Sequence, residues 1–160
     1  MRLYVVRHGH AGSRSAWDGP DHRRPLSPKG RRQAKAIADA LAPAGVGRLV
    51  SSPHRRCVQT LEPLAQRLGL PVEDDPRLAE GAGGADALAL ADEVRDGYEA
   101  VAVCSHGDVI PDMLRILNAT TARFKDPFVW PKGSTWVLIW NGERWSKARY
   151  MAPPDLKARA

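Results

Sequence analysis

The chain has 160 residues, of which 43% are apolar and 26% are charged, a balance typical of one globular domain with a sizeable core. No apolar run is long enough to span a bilayer, and the first short apolar run is too brief for a signal peptide. We therefore expect a cytoplasmic protein that makes no contact with a membrane.

The formal net charge is +6, which favours an acidic partner. The basic residues concentrate in 14–32 and at Arg55-Arg56 rather than in one long run, so they form either a solvated surface or a funnel for a small anion. Nucleic acid is not the expected partner. Cys57 and Cys104 lie far apart without a CxxC pair, which predicts buried free thiols.

The first elements are marked by clear signals. Leu3–Val6 is a short apolar run typical of a buried strand, and a polar loop over 9–24 follows it. Ser27 followed by proline predicts the start of a helix over 28–41, which a proline and then Gly45 end.

The remaining elements follow in alternation. In chain order, the patterns predict a strand at 48–51, a helix from Ser52-Pro53 to Gly69, a short strand at 72–73, a loop at 80–85, a helix at 86–96, a strand at 100–104, a helix at 109–117, and a hairpin of 135–140 with 144–150 around Asn141-Gly142. We expect one domain over 1–151 and a loose tail over 152–160.

This order predicts an α/β fold, a three-layer α/β/α sandwich with a mostly parallel central sheet. Ligands of such sheets bind beyond the carboxyl ends of the strands. Three predicted strands end in reactive segments, namely Arg7-His8-Gly9, Ser51-Ser52-Pro53 leading to Arg56, and Ser105-His106-Gly107.

Two histidines and two arginines at one sheet edge suit phosphoryl transfer. A neutral imidazole can attack phosphorus and form a phosphohistidine, while arginine neutralises the phosphate charge. A second, protonated histidine can stabilise the shifting charge, and glycine after each histidine lets the backbone approach the anion. This chemistry requires no metal and no cofactor. The rival is a metal site formed by His8, His10 and His106, which no later ligand signature completes.

Several segments together resemble one family. Arg7-His8-Gly9, the run from Ser51 to Thr60, Ser105-His106-Gly107 and the helix start from Leu26 to Ala34 are similar to the motifs of the histidine phosphatase superfamily. That family includes phosphoglycerate mutases and SixA-type phosphohistidine phosphatases, and the compact length is similar to the SixA-like branch. The resemblance implies a phosphoglycerate mutase-like fold.

The resemblance also implies roles by motif position. His8 is the nucleophile, Arg7 and Arg56 bind the phosphoryl group, and His106 is the second histidine of the pocket. Arg56, rather than Arg55, occupies the arginine position. Arg55 is then either exposed or a secondary contact to the anion.

The general acid is an open choice between two carboxylates. The family often places a glutamate in the loop after the third short strand, where Glu80 stands, and we expect Glu80 to be the acid. The alternative is Asp108, which is otherwise the N-cap of the following helix.

A closer likeness concerns the substrate. Segments around Arg24-Pro25-Leu26, Cys57–Ala65, Val109–Asp112 and Lys132–Trp136 resemble the C-terminal phosphatase domain of two-domain MutT-type Nudix hydrolases, although no Nudix motif is present. The resemblance implies a nucleoside diphosphate, or a similar diphosphate, as a candidate substrate. The expected substrate-binding residues are Gly9, His10, Arg14, Arg23, Arg24, Gly107 and Lys132, and the aromatic residues Trp17, Phe128 and Trp130 either stack on a base or cover the core.

We therefore expect a metal-independent phosphatase that acts on a small phosphorylated substrate through a phosphohistidine. The alternatives are a SixA-type phosphatase acting on a phosphohistidine protein, and an idle module that binds phospholigands without turnover. The sequence sets no oligomeric state.

Overall fold

A computed structural model describes residues 1–121 and 123–157. A six-stranded mixed sheet forms the centre, in the spatial order β3-β2-β4-β1-β5-β6. The strands are β1 (Arg2–Arg7), β2 (Val46–Ser51), β3 (Val72–Asp74), β4 (Ala100–Ser105), β5 (Thr135–Trp140) and β6 (Trp145–Met151). The main helices are α1 (Pro28–Leu41), α2 (Arg55–Leu68), α3 (Gly84–Val94) and α4 (Val109–Thr120).

The expected architecture is confirmed. Strands β3, β2, β4 and β1 run parallel, whereas β5 is antiparallel to β1 and pairs with β6 as the predicted hairpin. Successive residues of β1 point to opposite faces, so Leu3 and Val5 pack among the residues of α3 and α4, while Tyr4 and Val6 pack among those of α1 and α2. Apolar cores therefore lie on both faces of the sheet, as in an α/β/α sandwich.

The bounds of α1 agree with the sequence signals. The Ser27 hydroxyl accepts a hydrogen bond from the Gly30 N–H, and proline at the first helical position needs no backbone donor. A short 3-10 turn follows α1, and Gly45 ends that turn in a left-handed conformation with φ 74°.

The predicted start of α2 is wrong by three residues. The Ser52 N–H donates to the Cys104 carbonyl, and the Ser52 hydroxyl accepts from the His54 N–H, so these residues form a turn at the sheet edge. The helix begins at Arg55, which puts Arg56 in its first turn. Gly69 caps the other end, as predicted.

Smaller differences occur at α3 and α4. Helix α3 begins at Gly84, two residues early, because the Gly84 N–H donates to the Asp112 carboxylate at 2.6 Å. Helix α4 continues to Thr120, whose hydroxyl donates to the Ile116 carbonyl.

The cysteines and the tail can also be placed. Cys57 and Cys104 are buried free thiols, as predicted. The division at Met151 into a domain and a tail stays a prediction, since residues 153–157 line a cavity together with His10 and Lys29. None of the helices in the described ranges has the length and apolar character that crossing a membrane requires.

Gly84 tests the contact between α3 and α4. A Cβ at this position would lie 2.3 Å from the Met113 nitrogen and 2.5 Å from the Asp112 carbonyl carbon, both of which are backbone atoms. We expect Gly84→Ala to lower the free energy of unfolding by about 3 kcal/mol, the upper part of the range for overpacking. Urea denaturation followed by circular dichroism measures this loss.

The matched control is Ala89→Ser, on the exposed side of the same helix, which should change the stability by less than about 0.5 kcal/mol. Equal stability of the Gly84→Ala variant and the unaltered protein would contradict the close packing of α3 on α4.

Candidate active site

A pocket of about 510 Å³ opens at the carboxyl ends of the parallel strands. β1 and β4 are neighbours in the sheet, and the His8 N–H donates to the Ser105 carbonyl at 3.2 Å, which brings the two histidine segments together. The pocket walls are formed by Arg7, His8, Gly12, Ser13, Arg14, Arg24, Arg56, Glu80, His106, Gly107, Asp108, Trp130 and Lys132.

His8 is buried and has one defined tautomer. Its Nδ1 lies 2.8 Å from the Gly9 carbonyl oxygen, which can only accept a hydrogen bond. The proton of the neutral ring therefore resides on Nδ1, and Nε2 keeps its lone pair.

The electrostatic surroundings keep this imidazole neutral. Burial lowers the pKa of His8 to about 3, and the positive charges of Arg56, Arg7 and Lys132 act in the same direction, against the bond to Gly9. A neutral ring with a free Nε2 is the state that a nucleophile requires.

Gly9 packs away from the pocket. Its N–H donates to the Thr60 hydroxyl at 3.0 Å, and a Cβ would lie 3.0 Å from the Gly30 carbonyl oxygen. The glycine thus allows the loop after β1 to approach the start of α1, whereas the sequence indicated close approach to the anion.

Gly107 does make room inside the pocket. A Cβ on Gly107 would lie 2.6 Å from Nη2 of Arg7, so a larger residue would displace that guanidinium. Nη1 of Arg7 donates to the Trp130 carbonyl at 2.9 Å, which fixes the plane of the group.

Arg56 is 1% exposed, although it carries a charge. Its Nη1 donates to the Asp21 carbonyl at 3.0 Å, and its Nη2 lies 3.2 Å from the Asp21 carboxylate and 3.4 Å from that of Glu80. Arg55, by contrast, is exposed.

His106 lies beside the nucleophile, with the two ring centroids 5.4 Å apart. Its Nε2 is 2.8 Å from the Ser52 hydroxyl, which also accepts from the His54 N–H, and 3.5 Å from Sγ of Cys57. In the tautomer with its proton on Nδ1, the Ser52 hydroxyl donates to Nε2 and the Nδ1–H has no partner in the described chain. Burial lowers the pKa of His106 to about 2, and the charges of His8, Arg56, His54 and Arg7 contribute.

Three buried nitrogen atoms around the nucleophile have no hydrogen-bond partner in the described chain. They are Arg7 Nε, Arg56 Nε and His106 Nδ1. Unpaired buried donors are rare in folded proteins, and each carries a desolvation cost. Three such donors on residues of one cationic pocket form a site that suits the oxygens of a phosphoryl group.

Glu80 and Asp108 differ in what their carboxylates contact. Glu80 lies 2.7 Å from Nη2 of Arg14 and is 35% exposed, whereas both oxygens of Asp108 accept backbone N–H bonds, from Val109 at 2.9 Å and from Gly81 at 2.7 Å. Asp108 thus caps α4 and holds the turn that carries Glu80.

Asp21 contacts three arginines of the pocket walls, and the sequence did not reveal it. It pairs with Arg56, with Arg24 at 3.0 Å and with Arg14 at 3.4 Å. Burial raises the pKa of Asp21, but the bond and charges of these arginines outweigh it and lower the pKa overall. Asp21 belongs to a loop without periodicity, and the only sequence signal that could have indicated it is the group of arginines in the same loop.

The expected substrate-binding residues separate into two groups. Arg14, Arg24, Gly107 and Lys132 belong to the pocket walls, whereas Gly9, His10 and Arg23 lie outside them. Arg23 is exposed, and Nδ1 of His10 lies 2.6 Å from the Ser27 hydroxyl.

The histidine trio considered as a metal site is not assembled within the described ranges, but a different trio is. Asp21, His54 and Glu80 place possible ligand atoms within 4.8 Å of one another. Both carboxylates are already paired with Arg56, so a cation there would compete with a guanidinium.

Comparison with known proteins identifies the family. The model of the Histidine phosphatase superfamily (branch 1) matches residues 3–96. An 8-oxo-(d)GTP phosphatase of Mycolicibacterium smegmatis is 37% identical over 97% of this chain and 49% of its own length. A probable phosphoglycerate mutase GpmB of Proteus mirabilis is 36% identical over 50% of this chain and 38% of its own length.

Solved structures show the same fold. The protein histidine phosphatase SixA in complex with tungstate superposes with a TM-score of 0.75 at 22% identity, covering 100% of both chains. The mycobacterial glucosyl-3-phosphoglycerate phosphatase in complex with VO3 gives 0.68 at 21% identity, covering 94% of this chain and 97% of that one. This chain spans about half the length or less of the curated relatives that it matches. The match of the family model over more than half of the sequence shows that the chain belongs to the histidine phosphatase superfamily.

Proposed function

We propose that this protein is a metal-independent phosphatase that hydrolyses a small phosphorylated substrate, a nucleoside diphosphate, through a phosphohistidine at His8. The observation that carries the proposal is the neutral His8 ring, with Nε2 free, surrounded by unpaired buried donors of Arg7, Arg56 and His106. A cytoplasmic location, where nucleotides are abundant, belongs to the same proposal.

In the first step the terminal phosphoryl group lies against Arg7, Arg56 and His106. The lone pair on His8 Nε2 forms a bond to phosphorus while the bond from phosphorus to the leaving oxygen breaks. Positive charge develops on the ring, and the Nδ1–H bond to the Gly9 carbonyl stabilises it. The leaving oxygen takes a proton from Glu80.

In the second step the Glu80 carboxylate takes a proton from a water molecule, whose oxygen attacks the phosphohistidine. The bond between nitrogen and phosphorus breaks, its electron pair returns to Nε2, and inorganic phosphate leaves. Glu80 suits this exchange better than Asp108 does, since its partners are the side chains of Arg14 and Arg56 rather than backbone amides.

The cationic rim supports a small substrate with a second phosphate. Arg14, Arg24 and Lys132 belong to the pocket walls and can bind an anion next to the reacting phosphoryl group. The relative from Mycolicibacterium smegmatis is named for a nucleotide substrate, which favours the same class here. A phosphatase screen over nucleoside mono-, di- and triphosphates, sugar phosphates and a phosphohistidine peptide tests the proposal. Preference for the peptide would favour the SixA-type alternative.

Replacement of the nucleophile should abolish turnover without unfolding the protein. We expect His8→Ala to lower kcat/KM by at least about 10⁴-fold, since no other group in the mechanism attacks phosphorus. Acid-quenched samples of the unaltered protein should contain an acid-labile phosphoryl group that is missing from the variant. The exposed residue His22 offers a control, because His22→Ala should keep both activity and label. Retained turnover in His8→Ala would exclude the mechanism.

The protonation state of His8 at each pH follows from the direction in which its pKa is shifted. Because the pKa is lowered to about 3, the ring stays neutral as the pH falls from 8 to 4.5, whereas a ring with the ordinary pKa of about 6.5 would be roughly 97% protonated at pH 5. NMR of the imidazole Cε1–H, assigned with His8→Ala, should show no titration in this range.

The stability should change in the corresponding direction. The unfolded chain binds a proton at His8 below about pH 6.5 and the folded chain does not, so stability decreases as the pH falls below that value. A titration midpoint for His8 between pH 6 and 7 in the folded protein would contradict its assignment as a buried neutral nucleophile.

The role of Glu80 depends on the leaving group. We expect Glu80→Gln to lower kcat/KM about 10²-fold or more for an alkyl phosphate such as ribose 5-phosphate, because kcat/KM reports formation of the phosphohistidine, in which the leaving oxygen needs a proton. The loss should be much smaller for p-nitrophenyl phosphate, whose leaving group departs readily as an anion.

Asp108→Asn serves as the comparison, since it weakens two backbone contacts and should affect both substrates by the same factor. A leaving-group dependence that appears in Asp108→Asn but not in Glu80→Gln would transfer the role of general acid to Asp108.

A further inference from the structure

A second cleft lies beside the phosphoryl pocket. It has a volume of about 220 Å³ and shares Gly12, Ser13 and Arg24 with the walls of the larger pocket. Its other walls are mostly apolar and come from Ala11, Ala16, Trp17, Pro25, Leu26 and Ser27. A ligand whose phosphoryl group reaches His8 can therefore extend into this cleft past Arg24.

Trp17 gives the cleft a fixed aromatic surface. Its indole Nε1 donates to the Pro20 carbonyl at 3.0 Å, so the only polar atom of the side chain is already satisfied. A Cβ on Gly19 would lie 3.6 Å from the same indole, which shows how closely the chain folds against it. Trp17 is nevertheless 36% exposed and forms part of the cleft wall.

Trp130, the aromatic residue in the described walls of the phosphoryl pocket, is half-buried and less available. Trp130 meets Phe128 edge to face at 5.2 Å, and the guanidinium of Arg115 lies 5.8 Å from its ring. A cavity on the opposite side of Lys132 contains Lys29 and Lys157, but its described walls include no tryptophan, tyrosine or phenylalanine. Trp17 is thus the aromatic surface best placed to stack on a flat ligand.

We propose that the cleft at Trp17 binds the nucleobase of the substrate, with the base stacked on the indole and the diphosphate directed past Arg24 to His8. The proposal rests on the proposed function, whose substrate it specifies. Base stacking on an aromatic side chain tolerates different bases because each base has a π face. The apolar walls exclude water from the other surfaces of the base, and Arg24 lies where the linking phosphate would pass.

The test compares two ligands that share a diphosphate, of which only one carries a base. Dissociation constants for GDP and inorganic pyrophosphate are measured by calorimetry on the His8→Ala protein, which keeps the ligands intact. Adding Trp17→Leu should weaken GDP binding about tenfold or more relative to pyrophosphate, the effect expected when one stacked base is lost. Trp17→Phe should recover most of the GDP affinity, because it restores an aromatic face.

The control is Tyr98→Leu, which should leave the ratio of the two affinities unchanged. Tyr98 is an exposed aromatic residue that precedes β4, at the amino ends of the parallel strands, whereas the pocket opens at their carboxyl ends. The NMR signal of the Trp17 indole N–H, assigned with Trp17→Phe, reports on the ring in the protein that keeps Trp17. It should shift when GDP binds and stay in place with pyrophosphate.

The outcomes separate this inference from the proposed function. An unchanged affinity ratio in Trp17→Leu, no binding of GDP, or a loss that appears in Trp130→Leu instead would each overturn the base site while His8-dependent phosphatase activity stands. Turnover that survives His8→Ala would overturn the proposed function, whatever the result at Trp17.

Discussion

The pocket depends on one buried charge, the guanidinium of Arg56. A cation that is 1% exposed must be paired, and two carboxylates from separate segments meet it, Asp21 from the loop after β1 and Glu80 from the turn before α3. Loss of both partners would leave a buried charge without compensation, which is strongly destabilising. The same guanidinium keeps its Nε unpaired beside His8. Its pairing therefore joins two separate segments around the site and leaves one donor for the phosphoryl group.

Burial at this edge of the sheet, together with its positive charge, explains the protonation states of the two histidines. His8 and His106 are both buried among arginines, so neither ring gains a proton at neutral pH, and their pKa values fall to about 3 and about 2. For His8 this state is the reactive one. For His106 it differs from the protonated ring that the sequence suggested, and the contact with Ser52 provides a neutral alternative, an Nδ1–H donor. A dianionic phosphate next to His106 would raise its pKa again, so the ring can gain charge as the substrate binds.

Local signals predicted much of the fold, and distant contacts account for what was missed. Helix α1 was predicted to the residue because Ser27 and its following proline act within one turn. The start of α2 was misjudged because Ser52 bonds to the Cys104 carbonyl on a neighbouring strand, which no local pattern reveals. His8, Arg56 and His106 could be named since each follows a strand or starts a helix, where parallel strands bring their ends together. Asp21 could not be named, because it stands in an irregular loop and its partners Arg24, Arg14 and Arg56 lie 3, 7 and 35 residues away.

The loop after β1 connects the phosphoryl site with the cleft at Trp17. Arg24 is buried and donates to the Ala11 and Gly12 carbonyls, which ties the two ends of the loop to each other. Asp21 attaches the same loop to Arg56. A ligand that stacks on Trp17 would therefore favour the loop conformation in which Asp21 holds Arg56 in place. Binding energy from a distant part of a substrate can in this way orient the groups that meet the transferring phosphoryl group, and it then contributes to kcat as well as to KM.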